Sequence, residues 1–186
     1  MSPKHLFAAF DVTKQVFYTT PLSIGIVNLK PLLPGHVLIL PRRVVPRLAD
    51  LYSSEISDLF LTVQRIGKGL EELYNAQALT VSLQDGKSAG QSVPHVHVHI
   101  LPRHSTDFEG ENDRIYPLLE QNESTLRDDL TQSEIPIIIK PNGNEDSRKG
   151  VADKWETPKD EDRKPRSMEE MVIEAKRFEE YFKKIE

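Results

Sequence analysis

The chain has 186 residues, enough for one domain with a substantial appendage and for a core that needs no staples. It contains no cysteine, which excludes disulfide frameworks, thiolate metal sites and cysteine nucleophiles. With 24 Lys+Arg against 29 Asp+Glu the formal charge is −5, the wrong sign for a double-stranded nucleic-acid binder, so neither nucleic acid nor a membrane is expected as a partner.

In chain order, Met1–Asp11 lacks the apolar core of a signal peptide, and no apolar run reaches the roughly 18–20 residues of a membrane span. An intracellular soluble protein is expected. Val16–Thr19 and Leu22–Leu29 read as adjacent strands around a turn at Thr20–Pro21, and His36–Leu40 as a third strand ended by Pro41. A helix is predicted from Ser53 or Ser54, with Ile56, Leu59, Phe60, Val63, Ile66, Leu70 and Leu73 spaced by three and four. Gly67 and Gly69 each weaken it by about 1 kcal/mol relative to Ala, or permit close packing. Leu79–Gln84 is the next strand, DGKSAGQSVP a glycine-bearing loop, and His95–Leu101 the last strand. Short connections favour an α+β protein with a five-stranded antiparallel sheet and two principal helices.

From Glu120 to Arg166 the sequence turns polar apart from Ile135–Ile139, and its mixed charges predict a mobile stretch, with Trp155 a single surface aromatic. Ser167 and Glu170 have capping-box spacing, and Met171, Ala175, Phe178, Phe182 and Ile185 give one apolar helix face. The division expected is a body over 1–119, a polar insertion over 120–166 and a docking helix over 167–186.

His95, His97 and His99 alternate with Val96, Val98 and Ile100. Strand periodicity places the three imidazoles on one face, about 6.6–7 Å apart along the chain. Two chemistries fit equally. Alternating histidines can hold zinc, manganese or iron, with His36 as a distant ligand. A neutral imidazole can instead act as a nucleophile, its tautomer fixed through the other ring nitrogen. Gly86 and Gly90, followed by Gln91 and Ser92, suit a turn whose N–H groups face an anionic oxygen.

The segment QSVPHVHVHILP, within LTVSLQDGKSAGQSVPHVHVHILPRH, and the upstream FYTTPLSIGIVNLKPLLPGHVLILPRR resemble the histidine-triad superfamily, specifically its fragile-histidine-triad branch. The resemblance covers 1–119 and the final helix. It implies a sheet joined to its twin across a homodimer, and hydrolysis of diadenosine triphosphate and related dinucleoside polyphosphates through a nucleotidyl-histidine intermediate. Nucleoside phosphoramidase activity and a nucleotide-dependent interaction module are the alternatives.

Carried over, His97 is the nucleophile and the carbonyl of His95 holds its other nitrogen. His36 supports His95, and His99 binds a phosphate oxygen. Asn28 is implied at the ribose and Gln84, Gly90, Gln91, Ser92 and Val93 at the nucleotide and phosphates, with His5 a further substrate contact. No protein metal ligand is implied; Mg2+ or Mn2+ accompanies the substrate phosphates. Leu6, Phe7, Ile26 and Leu38 are candidates for a base pocket, more simply read as core. Arg103 and His104 are candidates to steer phosphate, with solvent-facing charge the simpler expectation. Tyr116 resembles a phosphorylated position of the branch. The compartment expected is the cytoplasm, with the nucleus and a mitochondrial pool left open.

Overall fold

The computed structural model describes residues 4–138 and 163–185. A short hairpin, β1 (Leu6–Phe7) and β2 (Phe10–Asp11), precedes the main sheet. That sheet is built from β3 (Val16–Thr19), β4 (Ser23–Val27), β5 (Val37–Pro41), β6 (Ala78–Ser82) and β7 (Val98–Arg103), all antiparallel in the order β3-β4-β5-β7-β6. The helices are α1 (Ser53–Tyr74), α2 (Ile115–Gln132) and α3 (Met168–Ile185). No described helix is long and apolar enough to cross a membrane.

Register decides which residues share a face. Val16 lies opposite Ile26, Ile26 opposite Leu38, Leu38 opposite His99, and His99 opposite Ser82. Directly opposed residues point to the same side of a sheet, so these form one face and His99 stands on it. Ile39, Val98 and Ile100 point the other way, toward α1. β4 and β5 are buried along their whole length, as strands covered on both sides must be.

Helix α1 begins where Glu55 reaches back to accept the Tyr52 N–H at 2.8 Å, with Arg43 clamping the same carboxylate through two nitrogens. It ends at Asn75 in the left-handed region, φ +50°. Helix α3 has the capping box read from the sequence: Ser167 N–H donates to Glu170 and Glu170 N–H to Ser167 Oγ. Its buried Met171, Ala175, Phe178 and Phe182 dock on the sheet, with Phe178 5.3 Å and Phe182 5.8 Å from the Phe17 ring. A Cβ on Gly69 would overlap the Phe182 ring, so this glycine is what lets α1 and α3 meet.

Two expectations are corrected. The stretch from Glu120 is not polar and mobile over its first turns: residues 120–132 belong to α2, a third principal helix, whose Leu118, Leu119, Leu126 and Leu130 are buried. The chain then pairs back, Ile138 N–H donating to Ala9 O and Pro136 O accepting from Asp11 N–H. Burial of Ile115, Leu118, Leu119, Leu126 and Leu130 at helical intervals supplies the core area that the charged residues between them conceal. The second correction concerns the last strand, which starts at Val98 rather than His95; His95 and His97 sit in the irregular segment leading into it. Trp155 and the rest of 139–162 lie outside the described residues.

Candidate active site

The approach to β7 carries the site. His95, His97 and His99 are all buried, as are His36 and Asn28 from the β4 and β5 side. The hydrogen-bond pattern assigns each ring's proton, because a backbone N–H can only donate and a carbonyl can only accept. His95 Nδ1 accepts from Ala8 N–H at 3.1 Å, so its Nε2 carries the proton and donates to Pro41 O at 2.9 Å. Burial lowers its pKa to about 4, which keeps it neutral.

His97 is held the other way. Its Nδ1–H donates to the His95 carbonyl at 2.6 Å, so Nε2 is the nitrogen that carries the lone pair whenever the ring is neutral. Phe7 packs edge-on against His97, ring centroids 5.0 Å apart, and so belongs to the site as well as to the core. Leu32 N–H donates to His36 Nδ1 at 3.1 Å, so His36 Nε2–H donates to His99 Nδ1 at 2.9 Å. His99 therefore presents Nε2–H to the site as a donor. This corrects the role implied for His36: it supports His99, and His95 is held by Ala8 and Pro41 instead. The cause is sheet register, which sets Leu38 opposite His99 and brings the start of β5 beside that ring. Burial holds the His36 pKa well below its ordinary value, with His99, Arg163 and Arg166 adding to the shift.

Asn28 is fully buried, its Oδ1 accepting Lys30 N–H at 2.9 Å and its Nδ2 lying 3.1 Å from His36 Nε2. Gln91 bridges the glycine loop, accepting from Gly86 N–H at 3.2 Å and donating to Pro46 O at 2.9 Å. Gly90 adopts φ +95°, which favours glycine, and Val93 is buried beneath the turn. Gln84 donates weakly to Ser82 at 3.4 Å, while its Oε1 is buried without a hydrogen-bond partner. His5 is tied by its backbone to Thr13 and Val12, and among the described residues no hydrogen bond joins it to the triad. Ile26 and Leu38 share the His99 face and Leu6 is half-buried in the β1–β2 hairpin. Arg103 is neither solvent-facing nor aimed at the site: it is buried, bonded to Asp107, Thr80 and the Asn112 carbonyl. His104 is half-buried beside it and Tyr116 is exposed on α2.

The residue missed from the sequence is Glu123 of α2. Its side chain has no solvent exposure. Oε2 lies 2.9 Å from His97 Nε2 and 3.4 Å from His99 Nε2, the latter short of a full hydrogen bond. Oε1 accepts from Ser92 N–H at 2.9 Å, and the Glu123 carbonyl accepts from Ser92 Oγ. Burial opposes its charge, but the His97 and His99 rings hold the carboxyl far below the ordinary carboxylate range. For His97 burial alone would depress the pKa; the hydrogen bond and charge of Glu123 raise it instead. For His99 burial prevails and the pKa falls. A sequence signal existed, since Glu123 falls four residues after Leu119 and three before Leu126, on the apolar stripe itself.

His97, His99 and Glu123 are the cluster of potential metal ligands among the described residues. They do not fit a resident cation. His99 turns an N–H toward the cluster, which leaves at most one imidazole lone pair and one carboxylate, fewer than zinc takes from protein and poor in oxygen for magnesium.

Fold and site together define a protein that presents a carbonyl-held imidazole lone pair, flanked by N–H and O–H donors, to an anionic group. The family model described as the HIT domain matches residues 9–106, more than half the chain, and the chain belongs to that family. It is 48% identical over 185 residues to the asymmetrical bis(5'-nucleosyl)-tetraphosphatase of Schizosaccharomyces pombe, covering 97% of this chain and 96% of that one. It is 45% identical over 169 residues to the bifunctional bis(5'-adenosyl)-triphosphatase/adenylylsulfatase FHIT of Arabidopsis thaliana, covering 91% and 78%. The crystal structure of Plasmodium falciparum diadenosine triphosphate hydrolase in complex with Cyclomarin A matches with a TM-score of 0.65 at 27% identity, covering 99% of this chain and 87% of that one.

Proposed function

We propose that the protein hydrolyses dinucleoside polyphosphates, diadenosine triphosphate foremost, to a nucleoside monophosphate and the remaining nucleotide. One observation carries the reading: His95 O takes the Nδ1–H of His97 at 2.6 Å, which aims the Nε2 lone pair at an anion cradle. The names of the relatives add the substrate class.

Nε2 attacks the α-phosphorus, a phosphorus–nitrogen bond forms, and the bond from phosphorus to the bridging oxygen breaks as the second nucleotide leaves. The ring becomes cationic, and the His95 carbonyl stabilises that charge through the shared Nδ1–H. His99 Nε2–H and the Ser92 N–H and hydroxyl donate to non-bridging oxygens as negative charge accumulates. Water then attacks the same phosphorus, keeping one proton on the new monophosphate oxygen and giving the other to solvent, while the phosphorus–nitrogen bond breaks and neutral His97 returns. Asn28 contacts ribose, while Gln84, Gly90, Gln91, Val93 and, more distantly, His5 border the nucleotide. Mg2+ or Mn2+ enters with the substrate phosphates. A homodimer fits the open β6 edge, where Ala78 and Val81 are exposed.

The test is a panel of diadenosine triphosphate, diadenosine tetraphosphate and adenosine phosphoramidate with product identification, run with magnesium or chelator. His97→Ala should lose at least about 10³-fold in turnover while still binding substrate, and wild type quenched in alkaline denaturant, where a phosphorus–nitrogen bond survives, should yield labelled His97. Normal turnover in the folded variant would sink the nucleophile assignment.

A further inference from the structure

We infer that α2 is a built-in stopper of the active site, with the Glu123 carboxylate standing in for a substrate phosphate, so that substrate must lift α2 away before turnover. The inference rests on the hydrolase reading in one respect, that the cradle receives phosphate.

Every donor assigned to phosphate oxygens is turned on Glu123. Ser92 N–H is bonded to Oε1, Ser92 Oγ to the Glu123 carbonyl, and His97 and His99 Nε2 converge on Oε2. Carboxylates are almost never fully buried unless paired, and this one is paired with the nucleophile itself. The contact also disarms His97 chemically. Its Nδ1–H is committed to His95 O, so a 2.9 Å approach of Nε2 to a carboxyl oxygen requires a second proton between them. The Glu123 carboxyl is held far below the ordinary range while the His97 pKa is raised, so that proton sits on Nε2. The closed state thus holds an imidazolium, which has no lone pair to attack phosphorus. Space and protonation block the reaction together.

The segment leading into the helix is strained, although the helix itself is packed through its buried apolar stripe. Phe108, Glu109 and Gly110, three successive residues at φ +52°, +60° and +91°, form a left-handed run that two non-glycine residues adopt only under strain, and a 3-10 turn at Asn112–Arg114 joins it to the helix. The helix's first residue has no side-chain cap and its first turn no acidic residue. Its polar anchors besides Glu123 include Asn122, which donates to Lys30 O at 3.0 Å. The HIT-domain match ends at residue 106, ahead of this run and of α2.

Closure carries a proton, so it depends on pH. The titratable groups facing His97 are Glu123 from α2 and His95 and His99 from its own segment; behind His99 stand His36 and the Arg163 and Arg166 guanidiniums. The first-named carboxylate outweighs the others and raises the His97 pKa in the closed state. A raised pKa favours closure below it, and closure is lost as pH rises through it.

Hydrogen exchange on the full wild-type chain, with and without inorganic tripolyphosphate, tests displacement directly. Amides of 115–132 should lose protection when tripolyphosphate binds; binding with unchanged protection would overturn the stopper. In kinetics with diadenosine triphosphate, Glu123→Gln should lower KM about tenfold, because the apparent dissociation constant is the intrinsic one divided by the open fraction, with kcat equal to or above wild type. Its kcat/KM should also lose the wild-type rise with pH. Asn122→Ala, which loosens α2 and keeps the carboxylate, should shift KM in the same direction. A lower kcat at unchanged KM in Glu123→Gln would instead make Glu123 part of the chemistry and end the proposal. If no dinucleotide is turned over by wild type or variant, the hydrolase reading fails alone, and the tripolyphosphate exchange still decides whether α2 yields to phosphate.

Discussion

His36 never meets the reacting phosphorus, yet it decides which nitrogen of His99 carries a proton. Leu32 N–H fixes its own tautomer, and its Nε2–H then fixes that of His99. His36→Ala leaves His99 Nδ1 without its donor in a dry site, a loss of about 1–3 kcal/mol, or roughly tenfold or more in kcat. His36→Gln, which returns an N–H, should recover most of it, and ¹⁵N NMR should show the His99 proton redistributing between nitrogens only in the alanine variant. An unchanged His99 tautomer in His36→Ala would refute the relay. At this scale the triad was legible because three imidazoles at period two have no comfortable structural use. The partner of His36 was not, because strand register rather than sequence spacing puts one ring beside another.

Among elements, α3 and α2 mark the limits of periodicity. The apolar positions of α3 are separated by charge, with a capping box ahead of them, so both its face and its start are readable. In α2 the stripe is broken by Asn122 and Glu123, buried polar residues whose partners lie far away in sequence at Lys30, Ser92 and His97. Polarity there signals a site rather than solvent. The seam between α1 and α3 is testable at Gly69. Alanine would add helix propensity worth about 1 kcal/mol, but its Cβ runs into the Phe182 ring, and such overpacking costs about 1–3 kcal/mol. Gly69→Ala should therefore lower Tm by a few degrees, and Phe182→Leu on that background should restore part of the loss. A higher Tm for Gly69→Ala would show that propensity outweighs the clash.

At the level of the molecule, the sheet has two unlike edges. β3 is covered by α3, whereas β6 leaves Ala78 and Val81 exposed. An uncovered edge strand invites pairing with another chain, and a two-fold axis would satisfy it in a closed dimer. Light scattering should give twice the chain mass, and Val81→Lys, which sets like charges near the axis, should shift the protein toward monomer without lowering Tm in dilute solution. A wild-type monomer at micromolar concentration would refute the pairing.

The sequence by itself determined the chemistry available to this protein: no thiols, three alternating imidazoles, a glycine-bearing donor loop and a five-strand pattern, all of them local regularities. Tertiary structure alone decided how those imidazoles are protonated and what occupies their cradle. Both depend on groups distant along the chain: Ala8 on His95, Leu32 and His36 on His99, and Glu123 on His97. A proton's position on a ring is set by whichever donor or acceptor packing brings within about 3 Å, and no spacing rule in one dimension encodes that encounter.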